Sequence, residues 1–263
     1  MITQITGSPS SQIFHPNVCN SHAEGEDPAA WSLPYYAEPC PGHGSFPCAD
    51  PFTPSARPHA YYANQTATDA ETPDGMIVRA AAAALRNFSA HGRFASEKLF
   101  LAAGIHRPHL PEIVPASYIE QYDPADIPPP DNPNIPKGLP KVAWNDCGEI
   151  RSYTQVKEVT GNFSEHVPFP PGLVAGMRRG YFAAQTFADA QVGYLLDAVK
   201  DVGLSLDEDV CVVLWGGEAM PAAFVRRTRS RKSDAPQGVA RFCPCPPVAD
   251  HGEAHLDFVI RWP

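Results

Sequence analysis

Two histidines and an arginine stand together in one short proline-containing segment, Gly104-Ile-His-Arg-Pro-His-Leu-Pro111. The segment follows an apolar run, Lys98-Leu-Phe-Leu-Ala-Ala-Gly104, whose length and composition predict a buried strand. Ligands of open α/β sheets bind at the carboxyl ends of strands, and the prolines restrict the backbone that carries His106 and His109. Imidazole and guanidinium donors suit the oxygens of an anion. Taken alone, the segment is equally compatible with histidines that only satisfy backbone carbonyls.

The elements that position this loop are a helix before it and the strand itself. Pro73-Asp-Gly is followed by Met76-Ile-Val-Arg-Ala-Ala-Ala-Ala-Ala-Leu-Arg-Asn-Phe88, a run of strong helix formers with Asp74 near its start. A helix followed by a strand is the order found in mostly parallel sheets flanked by helices.

Further elements are predicted downstream. Apolar residues three and four positions apart predict a long helix from about Leu173 to Val202, which Gly203 ends. The apolar and β-branched run Asp209–Trp215 predicts a buried strand. A short helical stretch is expected near Ala116–Gln121, and His255–Trp262 has only a weak pattern.

Composition bounds the class of protein. The chain has 263 residues and is 43% hydrophobic, enough for one sizeable α/β domain or two small ones. Its 30 prolines favour long ordered loops. The net charge of -9 argues against a nucleic-acid partner. No apolar run is long enough for a membrane span, and the first residues do not predict a signal peptide, so the compartment stays open.

Seven cysteines leave the redox state of the chain open. Cys40 and Cys48 lie in a loop rich in proline and glycine, where they could close a short disulfide in an oxidising compartment. Free thiols fit the sequence equally well, and an odd number leaves at least one cysteine unpaired.

Several motifs, in the same order along about residues 12–216, resemble sulfatases of the iduronate-2-sulfatase family. The longest is Phe100-Leu-Ala-Ala-Gly-Ile-His-Arg-Pro-His-Leu-Pro111, which matches that family's strand and loop. The others are Ile13-Phe-His-Pro16, Trp31-Ser-Leu-Pro34, Asp126-Ile-Pro-Pro-Pro-Asp-Asn-Pro-Asn-Ile-Pro136, Leu139-Pro-Lys-Val-Ala-Trp-Asn-Asp146, Glu149-Ile-Arg-Ser-Tyr153, Gly180-Tyr-Phe-Ala-Ala-Gln-Thr-Phe-Ala-Asp-Ala-Gln-Val-Gly193 and Val212-Val-Leu-Trp-Gly216.

The resemblance implies an alkaline-phosphatase-like α/β fold, here an incomplete catalytic domain with a largely parallel sheet flanked by helices. It also implies hydrolysis of sulfate esters of sugars. In the family, the nucleophile is a formylglycine made from the cysteine of a Cys-x-Pro-Ser-Arg motif, and Ca²⁺ polarises the sulfate. By position, His106 matches a histidine that contacts the sulfate, and His15 matches a second active-site histidine. The lysine that the family carries before this second histidine is replaced by Gln12.

The sequence departs from the family pattern in two places. None of the cysteines lies in a Cys-x-Pro-Ser-Arg motif. After the Val212–Gly216 strand the family has Asp-His-Gly, which supplies metal ligands, whereas this chain has Gly217-Glu-Ala-Met220. Asp250-His-Gly occurs later but follows Pro-Cys-Pro-Pro and no predicted strand. We therefore expect the nucleophile to be absent and the ligands for Ca²⁺ to be largely absent, with no catalytic residue assigned.

These departures predict two regions, a partial sulfatase catalytic domain over residues 1–216 and a divergent, poorly ordered tail over residues 217–263. The tail contains the basic run Arg226–Lys232 and little apolar pattern. The leading hypothesis is a sulfatase-family protein, inactive alone, whose substrate is a sulfated sugar or glycosaminoglycan contacted by His106 and His15. The alternatives are a non-catalytic module that binds sulfated glycans and a phosphate-ester hydrolase of the same superfamily.

Overall fold

A computed structural model describes residues 2–6, 32, 59–61, 67–131, 134, 137–140, 150, 153–160, 169–216 and 256–261. Within these ranges the strands are β1 (Ile2–Thr6), β2 (His59–Tyr61), β3 (Phe100–Ile105), β4 (Glu112–Val114), β5 (Cys211–Gly216) and β6 (Leu256–Arg261). The α-helices are α1 (Pro73–Ala90), α2 (Ala116–Ile119), α3 (Thr154–Thr160) and α4 (Pro171–Asp201). Short 3-10 helices occupy Asp69–Glu71, Arg93–Ala95 and Pro124–Asp126.

Four strands form a mixed sheet in the order β1-β3-β6-β5. The β1–β3 pairing is parallel, whereas β6 pairs antiparallel with both β3 and β5. The strands β1, β3 and β5 therefore run in one direction and β6 runs against them. The largely parallel sheet predicted from the sequence is not confirmed, because two of these three pairings are antiparallel.

A second, two-stranded sheet lies next to the loop that follows β3. It pairs β2 in parallel with β4, and the backbone of His59 is the register partner of Glu112. Strand β4 is only three residues long, but all three are buried.

Helix α1 begins where the sequence predicts it, and the reason is local. The Thr72 side chain accepts a hydrogen bond from the Gly75 N–H at 2.9 Å, which caps the helix, and Pro73 occupies the first turn, where its missing N–H costs nothing. Gly75 is required here because a Cβ at this position would lie 1.6 Å from the Asp69 carbonyl oxygen. The start of α1 is therefore fixed tightly against the 3-10 helix Asp69–Glu71.

The main core lies between α1, α4 and β3. Every second residue of β3 points into this core, and the two helices contribute apolar residues three and four positions apart. The largest fully buried members are Ile77, Leu85, Leu101, Ile105 and Leu195. The helix–strand–helix layering expected from the sequence is thus present around β3, since both helices cover the strand that leads into the histidine-containing loop.

Helix α4 confirms the long helix predicted from apolar spacing. It runs from Pro171 to Asp201, and Gly203 follows with a φ of 82°, a left-handed conformation that glycine adopts without strain. None of the helices in the described residues is long and apolar enough to cross a membrane.

Strand β5 differs from the buried strand that its apolar sequence predicts. Val213 is 42% exposed and Leu214 is 49% exposed, while Val212 packs against the main core. The prediction was wrong in this respect: β5 is an edge strand of the four-stranded sheet, and the side chains of Val213 and Leu214 are exposed. Cys211, at the start of β5, is an exposed free thiol.

Some predictions fall on residues outside the described ranges. These are the second histidine, His15, the replaced lysine position, Gln12, the cysteines at 40 and 48, and residues 217–255 of the predicted tail. The described part of that tail is β6, which pairs between β3 and β5. The boundary at residue 216 stays a prediction.

Candidate functional site

The loop after β3 is held by a carboxylate in the first turn of α1. The backbone N–H of His106 donates to Asp74 Oδ1 at 2.7 Å, and the N–H of Arg107 donates to Asp74 Oδ2 at 3.1 Å. Asp74 is buried, so these hydrogen bonds to a charged acceptor are strong, and the helix N-terminus stabilises the same charge. The position of His106 is therefore tied directly to the start of α1.

The two histidine rings of the loop lie close together over one backbone carbonyl. Their centroids are 4.8 Å apart. His109 Nδ1 is 2.5 Å from the Leu110 oxygen, and His106 Nε2 is 3.5 Å from that oxygen, at the outer limit of a hydrogen bond. His106 is only 5% exposed. The structure thus brings the two histidines together. It also shows contacts between the histidines and a backbone carbonyl, the interpretation that the sequence left open beside anion binding.

The side chain of Arg107 is buried and forms a hydrogen bond within the protein. The guanidinium Nε donates to the Ile113 carbonyl oxygen at 2.9 Å, which joins the loop to β4, and the residue is buried. The peptide bonds that precede Pro108 and Pro111 are cis. The arginine therefore contributes to the loop a fixed positive charge and a link across it.

The far end of the loop is anchored by apolar packing. Leu110 is buried in a small cluster with Ile150, Tyr153, Val156, Leu173 and Met177. Helix α4 supplies the last two of these residues, so the same helix that packs on β3 also supports the loop that follows it.

Sequence reasoning missed Glu112, the first residue of β4. It is 0% exposed, and neither of its carboxylate oxygens has a hydrogen-bond partner in the described part of the chain. Burial raises the pKa of this carboxyl well above its ordinary value, and the positive charge of Arg107 opposes that rise. The signal in the sequence was a single acid within the short apolar run Leu110-Pro-Glu-Ile-Val-Pro115.

Tyr181 of α4 is coupled to the same carboxyl. Burial raises the pKa of its phenol, the negative form of Glu112 raises this pKa further, and a hydrogen bond with Gln185 lowers it. Arg107, Glu112 and Tyr181 are therefore buried ionisable residues that interact electrostatically, Glu112 with each of the other two.

The described residues do not fit a calcium site. No group of three or more His, Cys, Asp or Glu side chains that could hold a metal ion occurs among them. The Asp74 carboxylate accepts two backbone N–H groups instead. Glu218, Asp250 and His251, the acids and the histidine of the segments compared above with the family's Asp-His-Gly, lie outside the described ranges. No chemical step is therefore assigned to a metal.

Comparison with curated proteins shows a sulfatase-family relationship for part of the chain. Such a relationship implies an alkaline-phosphatase-like α/β fold. The matched proteins are iduronate 2-sulfatases: the human enzyme is 28% identical over 200 residues, and the mouse enzyme is 28% identical over 203 residues. Each match covers 74% of this chain and 34% of the relative, so the chain spans about a third of the length of either. No protein-family model matches the chain.

Proposed function

We propose that this chain is part of a sulfuric ester hydrolase of the iduronate-2-sulfatase type and that the loop after β3 receives the sulfate group of a sulfated sugar or glycosaminoglycan. The observation that carries the proposal is the relationship to two iduronate 2-sulfatases, combined with the anchoring of His106 by Asp74 at the end of β3. The fold alone is compatible with many activities, so the proposal depends on the named residues of the loop.

The role of His106 follows from the chemistry of imidazole. A protonated ring carries a positive charge and N–H donors, and both suit the oxygens of a sulfate group. Because Asp74 fixes the backbone of His106, little further ordering is needed when an anion binds. The nearby positive charge of Arg107 favours the same anion.

His15 would be a second contact to the sulfate. This assignment rests on the match of Ile13-Phe-His-Pro16 to the family motif. With Gln12 in place of the family's lysine, the site would lack one fixed positive charge, and we expect its sulfate affinity to depend more on protonated histidine than it would with lysine.

A second candidate function is binding without turnover. The absence of a Cys-x-Pro-Ser-Arg motif from the 263 residues favours it, since no residue of this sequence would then become the formylglycine nucleophile. A chain of this kind would retain a sulfated glycan and release no sulfate.

The test of the proposal is sulfate binding by the full chain. Titration calorimetry of a sulfated disaccharide at about pH 6, near the ordinary pKa of histidine, should show binding that the His106→Ala substitution weakens by about tenfold or more. His91→Ala is the matched control, because His91 is exposed at the end of α1 and its Nδ1 contacts the Asn87 carbonyl oxygen at 2.8 Å. Equal weakening by both substitutions, or no binding by the unmodified chain, would overturn the proposal. Tighter binding of the matched phosphate ester would favour the phosphate-ester alternative.

A further inference from the structure

Glu112 is a buried acid whose carboxylate oxygens accept no hydrogen bond from the described residues. In the described structure it is completely enclosed, and both of its oxygens lack a partner. A buried charge without a partner is costly, so such a group is retained in the neutral form or serves a purpose that requires its ionisation. Its place at the end of the histidine-containing loop suggests what that purpose is.

We propose that Glu112 controls the oxyanion affinity of the His106 loop through its own proton: the loop binds sulfate tightly while Glu112 is neutral and weakly once Glu112 is ionised. This inference rests on the proposed function of the loop as a sulfate site. It makes Glu112 a positioning and charge-setting residue that does not itself touch the ligand.

The physical connection between the two residues runs through Arg107. Its backbone N–H shares the Asp74 carboxylate with the N–H of His106, and its guanidinium donates to Ile113, the residue next to Glu112. Arg107 therefore links the anion-facing end of the loop to β4.

The sign of the effect follows from charge. Arginine side chains carry a positive charge, and that of Arg107 favours an anion at the loop. When Glu112 ionises, its negative charge offsets that of Arg107 and repels the anion directly, and the low polarity of the buried site makes both effects larger than they would be in water. Binding of sulfate must in turn favour the neutral form of Glu112, because coupling between two binding equilibria is reciprocal.

Among the side chains that the structure describes, Arg107 and Tyr181 are the ionisable groups linked electrostatically to Glu112. Helix α4 contributes Tyr181, whose phenol is neutral at physiological pH and whose pKa is raised further by burial. The loop contributes Arg107. In β2, the backbone of His59 is the register partner of Glu112. His59 is therefore the group that must be separated from Glu112 by experiment.

The experiment measures the affinity of the 263-residue chain for inorganic sulfate from pH 5 to pH 8, in the unmodified form and with Glu112→Gln, which imitates the neutral acid. Histidine titration weakens binding in both forms as the pH rises. The unmodified chain should lose affinity more steeply as Glu112 ionises, and once Glu112 is ionised the variant should bind about tenfold more tightly, the equivalent of one pKa unit. At the lower end of the range the two affinities should agree within about twofold.

Two controls separate Glu112 from general effects. Glu120→Gln removes an exposed acid at the end of α2 and should leave the steep pH dependence intact. His59→Asn should also leave it intact, and loss of the dependence in this variant would assign the effect to His59 and overturn the inference. Superimposable curves for the unmodified chain and Glu112→Gln would overturn it as well.

A direct measurement keeps the two proposals distinguishable. In the ¹³C NMR spectrum of the carboxyl groups, Glu112 should titrate well above the ordinary range of a glutamate, and titration within that range would overturn the inference even where sulfate binds. Absence of sulfate binding by every form at every pH would instead sink the proposed function, and the inference with it.

Discussion

Asp74 accepts the backbone N–H of His106 at 2.7 Å, across 32 positions of sequence. The bond joins the first turn of α1 to the residue that follows β3, and its acceptor is a buried carboxylate. A side chain predicted only as a helix-start residue is thus what holds the backbone of the candidate sulfate-binding histidine. The second oxygen holds Arg107 in the same way.

The first prediction concerns this anchor. Asp74→Asn keeps the shape of the side chain but removes its charge and sets an NH₂ group against a backbone N–H. Since a hydrogen bond to a charged acceptor contributes more than a neutral one, we expect the free energy of unfolding to fall by about 2–4 kcal/mol, as measured by urea denaturation. Asp126→Asn, an exposed acid in the 3-10 helix Pro124–Asp126, should change it by less than about 0.5 kcal/mol. Equal stability of the two variants would contradict the anchoring role.

The second prediction concerns the pH dependence of stability set by Glu112. Burial raises its folded-state pKa well above the ordinary value of 4.5, so the folded chain keeps a proton that the unfolded chain releases. The stability contributed by this proton is complete below pH 4.5 and is lost as the pH rises toward the folded pKa, by about 1.4 kcal/mol for each pH unit. Glu112→Gln should therefore match the unmodified chain near pH 4 and exceed its stability at pH 7.

Urea denaturation from pH 4 to pH 8 measures this difference between the two chains. Glu120→Gln serves as the control, because Glu120 is exposed and its removal should leave the slope unchanged. A constant difference between Glu112→Gln and the unmodified chain at all pH values would show that the carboxyl titrates normally despite its burial.

The elements around the candidate site were largely predictable, because they depend on local signals. Thr72, Pro73 and the alanine-rich run mark the start and length of α1, while apolar spacing and Gly203 mark α4. Each signal acts within a few residues, so it survives in the folded structure. The position of His106 at the end of β3 follows from the same kind of information.

What could not be predicted depends on contacts between distant segments. Strand β6 lies between β3 and β5 and runs antiparallel to both. It pairs with β3 although about 150 residues of sequence separate the two strands, and its own sequence pattern is weak. The exposure of Leu214 depends on which strand lies at the sheet edge, a property of the whole sheet. The burial of Glu112 likewise depends on α4 and β2 covering a strand of three residues.

The third prediction compares two leucines that the sequence presents alike. Leu195 of α4 is fully buried between α1 and β3, whereas Leu214 of β5 is 49% exposed. Leu195→Ala should lower the free energy of unfolding by about 2–5 kcal/mol, since it removes buried methyl groups and leaves a cavity. Leu214→Ala should cost less than about 1 kcal/mol, because much of its side chain contacts solvent in the folded chain already. Thermal and urea denaturation give both values, and similar losses would mean that β5 is covered as its sequence predicts.

The last prediction concerns turnover. A sulfatase of the related type needs the formylglycine nucleophile, and none of the cysteines in these 263 residues lies in the Cys-x-Pro-Ser-Arg motif from which it is made. We therefore expect the purified chain to release no sulfate from an aryl sulfate above a heat-treated control, even when it is coexpressed with the enzyme that forms formylglycine and assayed with added Ca²⁺. The same preparation should still bind inorganic sulfate, with the affinity loss of His106→Ala as the internal check that the loop is intact. Because binding needs only the charged loop while turnover needs a nucleophile placed beside it, the two measurements separate the functions. Calcium-dependent release of sulfate by the pure chain would show that another residue supplies the nucleophile, and would rule out binding without turnover as its function.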